Sequence, residues 1–378
     1  MSANEPPFTV GIEEEYLLVD VRTRDVCSDP RTDLLKEITA RGEGQISPKF
    51  LRGQVEVGTH PCRTMRDLRA DLAHLRSTIA DVAGPHGIAP IAASSHPFAR
   101  HRAQKQSDVE GYIALTQEMQ AAARNMMICS MHVHVGIDDD DLRIDLMNQV
   151  SYFLPHLLAL SCSSPFWEGE QTGLKSFRLT IYNSMPRTGL PERFESYNEY
   201  RRQVDMLVRN GLIEDTTKLW WDARPSLRYP TLETRIMDVC TNIDDSICIA
   251  AMTASLLRML YRLRLANQSW RRYPHVLIAE NRWRAMRYSY DEQLLDLAKG
   301  KLVSFSELLD EVLELLRHDA EALGCVRELE HARVILARGT SAHRQIAVYE
   351  EARSRGASTR EALEAIVDFL VRETVAVS

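Results

Sequence analysis

The chain has 378 residues, 44% of them hydrophobic, enough to bury a large core in one big domain or two ordinary ones, which excludes a minimal binding module. Its 53 acids and 46 bases give a formal charge of −7 and are mixed without a basic tract, so no nucleic-acid partner is expected. Seven cysteines lack CxxC spacing, no apolar run approaches the ~18 residues of a membrane span, and residues 1–7 lack the pattern of a signal peptide; together these predict a cytoplasmic protein with free thiols and no membrane partner.

Alternation and β-branching predict strands over residues 8–20 and 52–59, the second following a polar stretch with Gly42 and Gly44. Helical spacing of Met65, Leu68, Leu72, Leu75 and Ile79 predicts a helix over 64–82, ending at Gly84-Pro85, and residues 88–93 read as a short buried strand. Residues 110–126 read as helix, 128–137 as strand and 142–161 as a long helix. Next come a strand over 177–182, a helix over 191–209 and an alternating strand over 232–239. Beyond Asp244 every periodic segment is helical: 246–268, 276–287, 305–323, 326–337, 343–355 and 359–374, the last capped by Ser358 or Thr359 with Glu361 and Glu364. No repeat or Pro/Ser-rich linker interrupts the chain, so one continuous α+β domain over residues 1–378 is expected.

Four strand-like segments place acids or imidazoles on alternate positions. In Gly11-Ile12-Glu13-Glu14-Glu15-Tyr16, Glu13 and Glu15 share one face roughly 7 Å apart, while Glu14 points away. Glu56 stands opposite Val55 and Val57, and His132 and His134 lie together opposite Met131, Val133 and Val135. Glu233 aligns with Arg235, a carboxylate beside a guanidinium that suits a metal next to a phosphate. Taken singly, each is more often a solvated face, a polar core pair or a weak ion pair. Together, a carboxylate-dominated set with a rare imidazole selects Mg2+ or Mn2+ over zinc. Arg178, Arg187, Arg224, Arg235, Arg282 and Arg284 read as loop or strand-end arginines placed to hold phosphates or carboxylates. The motifs GxxxxGK[ST], GxGxxG, GxSxG and HExxH are absent, so a bound nucleotide would be held through metals and arginines.

Seven ordered blocks carry a resemblance: GIEEEYLLVD (11–20), EVGTHPC (56–62), MHVHVG (131–136), MPRTGLPERF (185–194), WWDARPS (220–226), PTLETRIMDV (230–239) and ENRWRAMRY (280–288). From residue 8 to residue 374 the chain resembles the carboxylate–amine ligases of the glutamate–cysteine ligase type 2 family. The resemblance implies a glutamine-synthetase-like α+β fold, with an antiparallel sheet lining a funnel-shaped active site and helices packed behind it. It implies a homodimer that uses ATP and Mg2+ to activate the γ-carboxylate of glutamate as an acyl phosphate, which then joins the amine of cysteine or a related amine. Carried over residue by residue, it puts Glu13, Glu15, Glu56 and Glu233 on the metal ions with His132 or His134 as a further ligand. Arg235 would hold the transferring phosphoryl group and act in catalysis with Glu233; Arg178 and Arg187 would bind substrate or phosphate, and Asn281 and Arg282 would lie near the nucleotide. The chain departs from the pattern at His343, where the family has Asp. Two other readings compete: a metal-dependent amidohydrolase built on the His132–His134 pair, and a non-catalytic nucleotide or metabolite binder.

Overall fold

The structure, a computed structural model, describes residues 5–376; the signal-peptide reading of residues 1–4 lies outside the described residues. Seven strands make the main sheet: β1 (Val10–Asp20), β2 (Ile46–Pro48), β3 (Gln54–Gly58), β4 (Ile88–Ile91), β5 (Met131–Gly136), β6 (Ala223–Pro225) and β7 (Thr231–Thr234). Their order is β6-β7-β5-β1-β3-β2, with β4 pairing the C-terminal end of β1, and every pairing is antiparallel. The expected α+β architecture, an antiparallel sheet with helices packed behind it, is what the chain forms.

Alternation gives the sheet two unlike faces. One face sends Ile12, Tyr16, Val55, Val57, Val133 and Val135 into the core. Against that side pack Met65–Ala83 and Ile243–Leu265, while Thr359–Thr374 covers β4. Each of the three helices starts where a side chain accepts one of its unpaired N–H groups: Thr64 from Asp67, Asn242 from Asp244, and Ser358 from Glu361 in a full capping box. Among the described residues, Ile243–Leu265 is the one helix long and apolar enough to cross a membrane. Its most apolar window is 83% buried inside the protein, the signature of a central core helix.

Several expected elements change. Residues 142–161 form two helices, Asp140–Val150 and Leu154–Ser161, because Pro155 supplies no N–H to continue the first and sits instead in the opening turn of the second. Residues 110–126 split into Glu110–Met119 and Ala121–Arg124 at Gln120, whose φ of +52° is left-handed. Residues 177–182 contain a helix, Arg178–Tyr182, where a strand is expected; so short a segment fits either period. The strand expected over 232–239 ends at Thr234, because the carbonyls of Arg235 and Ile236 leave the ladder to accept hydrogen bonds from Arg178. The helix expected from 191 begins at Tyr197 behind a Ser196 cap. Arg282 and Arg284 lie within the helix His275–Tyr288, not in loops. Two elements that the polar stretch before residue 52 gave no sign of, a helix Thr32–Arg41 and strand β2, complete the edge of the sheet.

Candidate active site

Strand register assembles the site. Glu13 on β1 stands opposite His132 on β5, Glu15 opposite Glu56 on β3, His134 opposite Glu233 on β7, and Glu233 opposite Arg224 on β6. Five neighbouring strands thus raise one polar patch on the face away from the hydrophobic core. That patch lines a cavity of about 540 Å3, to which Phe50, Tyr112, Leu115 and Met126 add apolar surface. Glu13, Glu15, Glu56, His132, His134, Glu233, Arg178 and Arg235 all line it.

Glu13 is the hub. Its Oε2 lies 3.0 Å from His132 Nδ1 and its Oε1 lies 3.5 Å from His134 Nε2. Burial works to raise the Glu13 carboxyl, but the His132 and His134 imidazoles beside it outweigh that and hold the group well below the usual range. Burial, reinforced by the Arg235 guanidinium, keeps His132 neutral, with its pKa at about 4. One oxygen or nitrogen each from Glu13, His134 and Glu233 lie within 4.8 Å of one another, a spacing that could hold a metal ion. His134 Nδ1 is 2.9 Å from Thr231 Oγ1, while its buried Nε2 has no hydrogen-bond partner. A buried polar atom normally has one, so an unsatisfied nitrogen within 4.8 Å of oxygens from two carboxylates fits a divalent cation.

The second acidic position is neutralised from within the chain. Lys49 Nζ lies 3.0 Å from Glu15 Oε1 and 2.6 Å from Glu56 Oε2, and Ser130 donates its N–H and hydroxyl to Glu15 Oε2 at 2.8 and 3.0 Å. Burial raises Glu15, yet Lys49 brings it below its usual value. Glu56 ends above its usual value: burial raises it, Lys49 offsets part of this, and Glu13 and Glu15 add repulsion. Lys49 gives no signal in the sequence, since it follows the unforeseen strand β2.

At the opposite end Glu233 is clamped between two guanidiniums. Arg224 Nε donates to Glu233 Oε2 at 3.0 Å, Arg235 Nη1 donates to Oε1, and Arg235 Nη2 bonds Tyr182 Oη at 3.2 Å. Burial opposes the charge on Glu233, but Arg235 and Arg224 hold its pKa well below normal. Arg235 Nε is buried without a partner, an unspent donor at the cavity wall.

The remaining predicted residues are placed differently. Arg178 reaches the cavity wall but is 1% exposed, with its guanidinium on the carbonyls of Arg235 and Ile236 and 3.7 Å from Asp238. Arg187 sits behind the lining, stacked on Trp220 and donating to the Lys218 carbonyl. Asn281 and Arg282 do not line the cavity. Asn281 clamps both polar groups of the Leu295 backbone, and Arg282 pairs with Asp222 at 2.6 Å. The Asp222 carbonyl in turn accepts the Arg235 N–H, so Arg282 steadies the strand end that carries Arg235. His343, outside the cavity, bonds Asp291 at 2.9 Å and stacks on Tyr290.

An acidic, imidazole-bearing sheet face flanked by arginines and backed by helices is built to hold cations and anionic groups together, and comparison with known proteins makes its class that of the ATP-dependent carboxylate–amine ligases. The model of Glutamate-cysteine ligase family 2 (GCS2) matches residues 9–368, and the chain belongs to that family. A protein of Rhodospirillum rubrum carrying the name "Putative glutamate--cysteine ligase 2" is 54% identical over 376 residues, covering 98% of this chain and 97% of its own. Proteins of the same name from Jannaschia sp. and Ruegeria pomeroyi are 48% and 50% identical, each over 97% of this chain and over 96% and 94% of their own lengths. The fold is similar to that of a glutamate–cysteine ligase from Francisella tularensis solved with AMP (TM-score 0.68, 14% identity, 97% of this chain and 89% of that one). It is also similar to that of a bifunctional glutathione synthetase from Pasteurella multocida (TM-score 0.70, 13% identity, 97% of this chain and 52% of that one).

Proposed function

We propose that this ligase transfers the γ-phosphoryl group of ATP to the γ-carboxylate of glutamate and then exchanges phosphate for the amine of cysteine or a related amine. The observation that carries the reading is the meeting of Glu13, His134 and Glu233, from three adjacent strands, with Arg235 just past the end of β7, in the lining of one cavity. In the first step a carboxylate oxygen attacks the γ-phosphorus and ADP leaves; in the second the amine nitrogen attacks the acyl carbon, inorganic phosphate leaves, and the nitrogen loses a proton. Both steps gain most from fixed positive charge around the phosphoryl oxygens and from alignment of the reactants.

Arg235 offers its unspent Nε–H toward the transferring group, and Glu233 holds that guanidinium and Arg224 in place. Glu13, His134 and Glu233 form the donor set for a first Mg2+ or Mn2+ ion, with His132 orienting Glu13; Glu15 and Glu56 form a second carboxylate position. A divalent ion held by Glu13, His134 and Glu233 would supply positive charge to phosphate oxygens as charge develops on them. Arg178 and Arg282 act through the backbone of residues 235–236 and 222, which positions Arg235, and Arg187 shapes the wall through Trp220. The carboxylate-dominated donor set speaks against the amidohydrolase reading. That all seven cysteines are unpaired supports a cytoplasmic location; the uninterrupted sequence without a Pro/Ser-rich linker supports one continuous domain, the resemblance supports a homodimer, and light scattering would test the dimer.

The test is phosphate release from Mg2+-ATP by the purified protein, with glutamate and then other carboxylates, each with and without a mixture of amines. Release that needs both partners is expected. Release indifferent to the amine, or none across the panel while nucleotide still binds, would overturn the ligase reading in favour of a phosphatase or a binder.

A further inference from the structure

We propose that the Lys49 ammonium occupies the cation position between Glu15 and Glu56, so that the site takes up one divalent ion fewer than its acids could hold. The inference rests on the metal reading of the Glu13, His134 and Glu233 cluster given above.

Two carboxylates directly opposite on neighbouring antiparallel strands, as Glu15 and Glu56 are, repel unless a cation stands between them. A compact ammonium can fill that place, since it presents three donors to oxygen from a flexible stem. Lys49 Nζ does so, bonding one oxygen of each acid at 3.0 and 2.6 Å, with its side chain only 21% exposed. The remaining Glu15 oxygen is taken by the N–H and hydroxyl of Ser130. Two residues along β1, at roughly 7 Å, no lysine or arginine cation among the described residues stands between Glu13 and Glu233: Arg224 and Arg235 pair only with Glu233, and His134 Nε2, 3.5 Å from Glu13 Oε1, makes no hydrogen bond. The acidic floor is thus divided: between Glu15 and Glu56 the chain's own ammonium takes the bridging place, while between Glu13 and Glu233 that place is left to His134 Nε2 and a metal ion. The lysine comes from the residue just after β2, the edge strand, whose Ser47 stands opposite Glu56.

The experiment counts Mn2+ taken up by metal-stripped full-length protein without nucleotide, from the electron paramagnetic resonance signal of free Mn2+. Lys49→Met keeps the length of the stem and removes the charge, and is expected to bind one more Mn2+ per chain than the wild type. Lys49→Arg keeps the charge and should bind the wild-type number. Lys49→Met/Glu56→Gln should lose the added ion, which separates a true site from a general rise in negative charge. Equal counts for wild type and Lys49→Met overturn the inference. Mn2+ bound by Lys49→Met but not by the wild type upholds it and overturns the Glu13, His134 and Glu233 set instead. No Mn2+ in either protein overturns both, and amine-dependent phosphate release then tests the ligase reading by itself.

Discussion

Arg76 Nη2 meets Glu14 Oε2 at 2.7 Å on the core side of β1, back to back with Glu13 and Glu15 on the cavity side. The pair is almost fully enclosed, and Arg76 also donates to the carbonyls of Cys240, Thr241 and Thr374, tying β1 to the segment after β7 and to the last helix. Removing one partner leaves a buried charge uncompensated. Arg76→Met is expected to lower unfolding free energy by about 3–5 kcal/mol, and adding Glu14→Gln should recover part of that loss. Denaturant titration of the two variants checks it; a single variant within 1 kcal/mol of wild type would show that the pair contributes little.

Glu13→Gln keeps the shape of the hub and removes its charge. Turnover should fall by two or more orders of magnitude, equivalent to about 3 kcal/mol of transition-state stabilisation, with the unfolding midpoint little changed because the Glu13 side chain is 31% exposed. Near-normal turnover in this variant would remove Glu13 from the reaction.

Arg235→Lys retains a positive charge but cannot span Glu233 and Tyr182 together, and it loses the planar fork that leaves Nε free. The turnover number should drop roughly 100-fold, a loss of about 3 kcal/mol in transition-state binding, with the KM for ATP changing far less. A rise in KM alone would instead assign Arg235 to ground-state binding of nucleotide.

His96 links acid sensitivity to a specific geometry. Its Nδ1 accepts from the N–H groups of Phe98 and Ala99 at 3.2 and 2.9 Å, and its Nε2 donates to the Arg24 carbonyl at 2.9 Å, an arrangement open only to the neutral ring. Burial pushes its pKa down to about 3, while the unfolded chain titrates near 6.5. Between those values the unfolded state binds the proton and the folded state does not, so stability is full above pH 6.5 and is lost as pH falls toward 3. His96→Asn keeps an acceptor that cannot titrate. Its stability should fall less steeply than that of the wild type between pH 6.5 and 4.5, as urea unfolding would show; parallel profiles would exclude His96 as a source of the slope.

Period-two alternation in residues 11–16, 131–136 and 231–234 was enough to place Glu13, Glu15, His132, His134 and Glu233 each on the polar side of its strand, with Arg235 just beyond the end of β7. Alternation is a local property of the chain, which is why it needs no knowledge of neighbours. The same property turned Glu14 away from the cavity, but only packing supplies Arg76 from a helix 62 positions later to meet it. The separation of Asn281 and Arg282 from the cavity, and the enclosure of Arg178 beneath Arg235, also depend on packing between distant segments. An arginine's spacing in sequence is the same whether it faces a phosphate or a carbonyl.

What the sequence determined by itself was therefore the chemistry of the strands, the α+β class, and through ordered motifs the ligase family. The tertiary structure decided which strands stand side by side, and with that which acids share a cation. Register between β1, β3 and β5 sets Glu15 against Glu56 and Glu13 against His132, and a short edge strand without a sequence signal delivers Lys49 between two of them. Pairing of strands brings together residues far apart in the chain, and no local pattern encodes it, because hydrogen-bond register is fixed by the packing of the whole sheet.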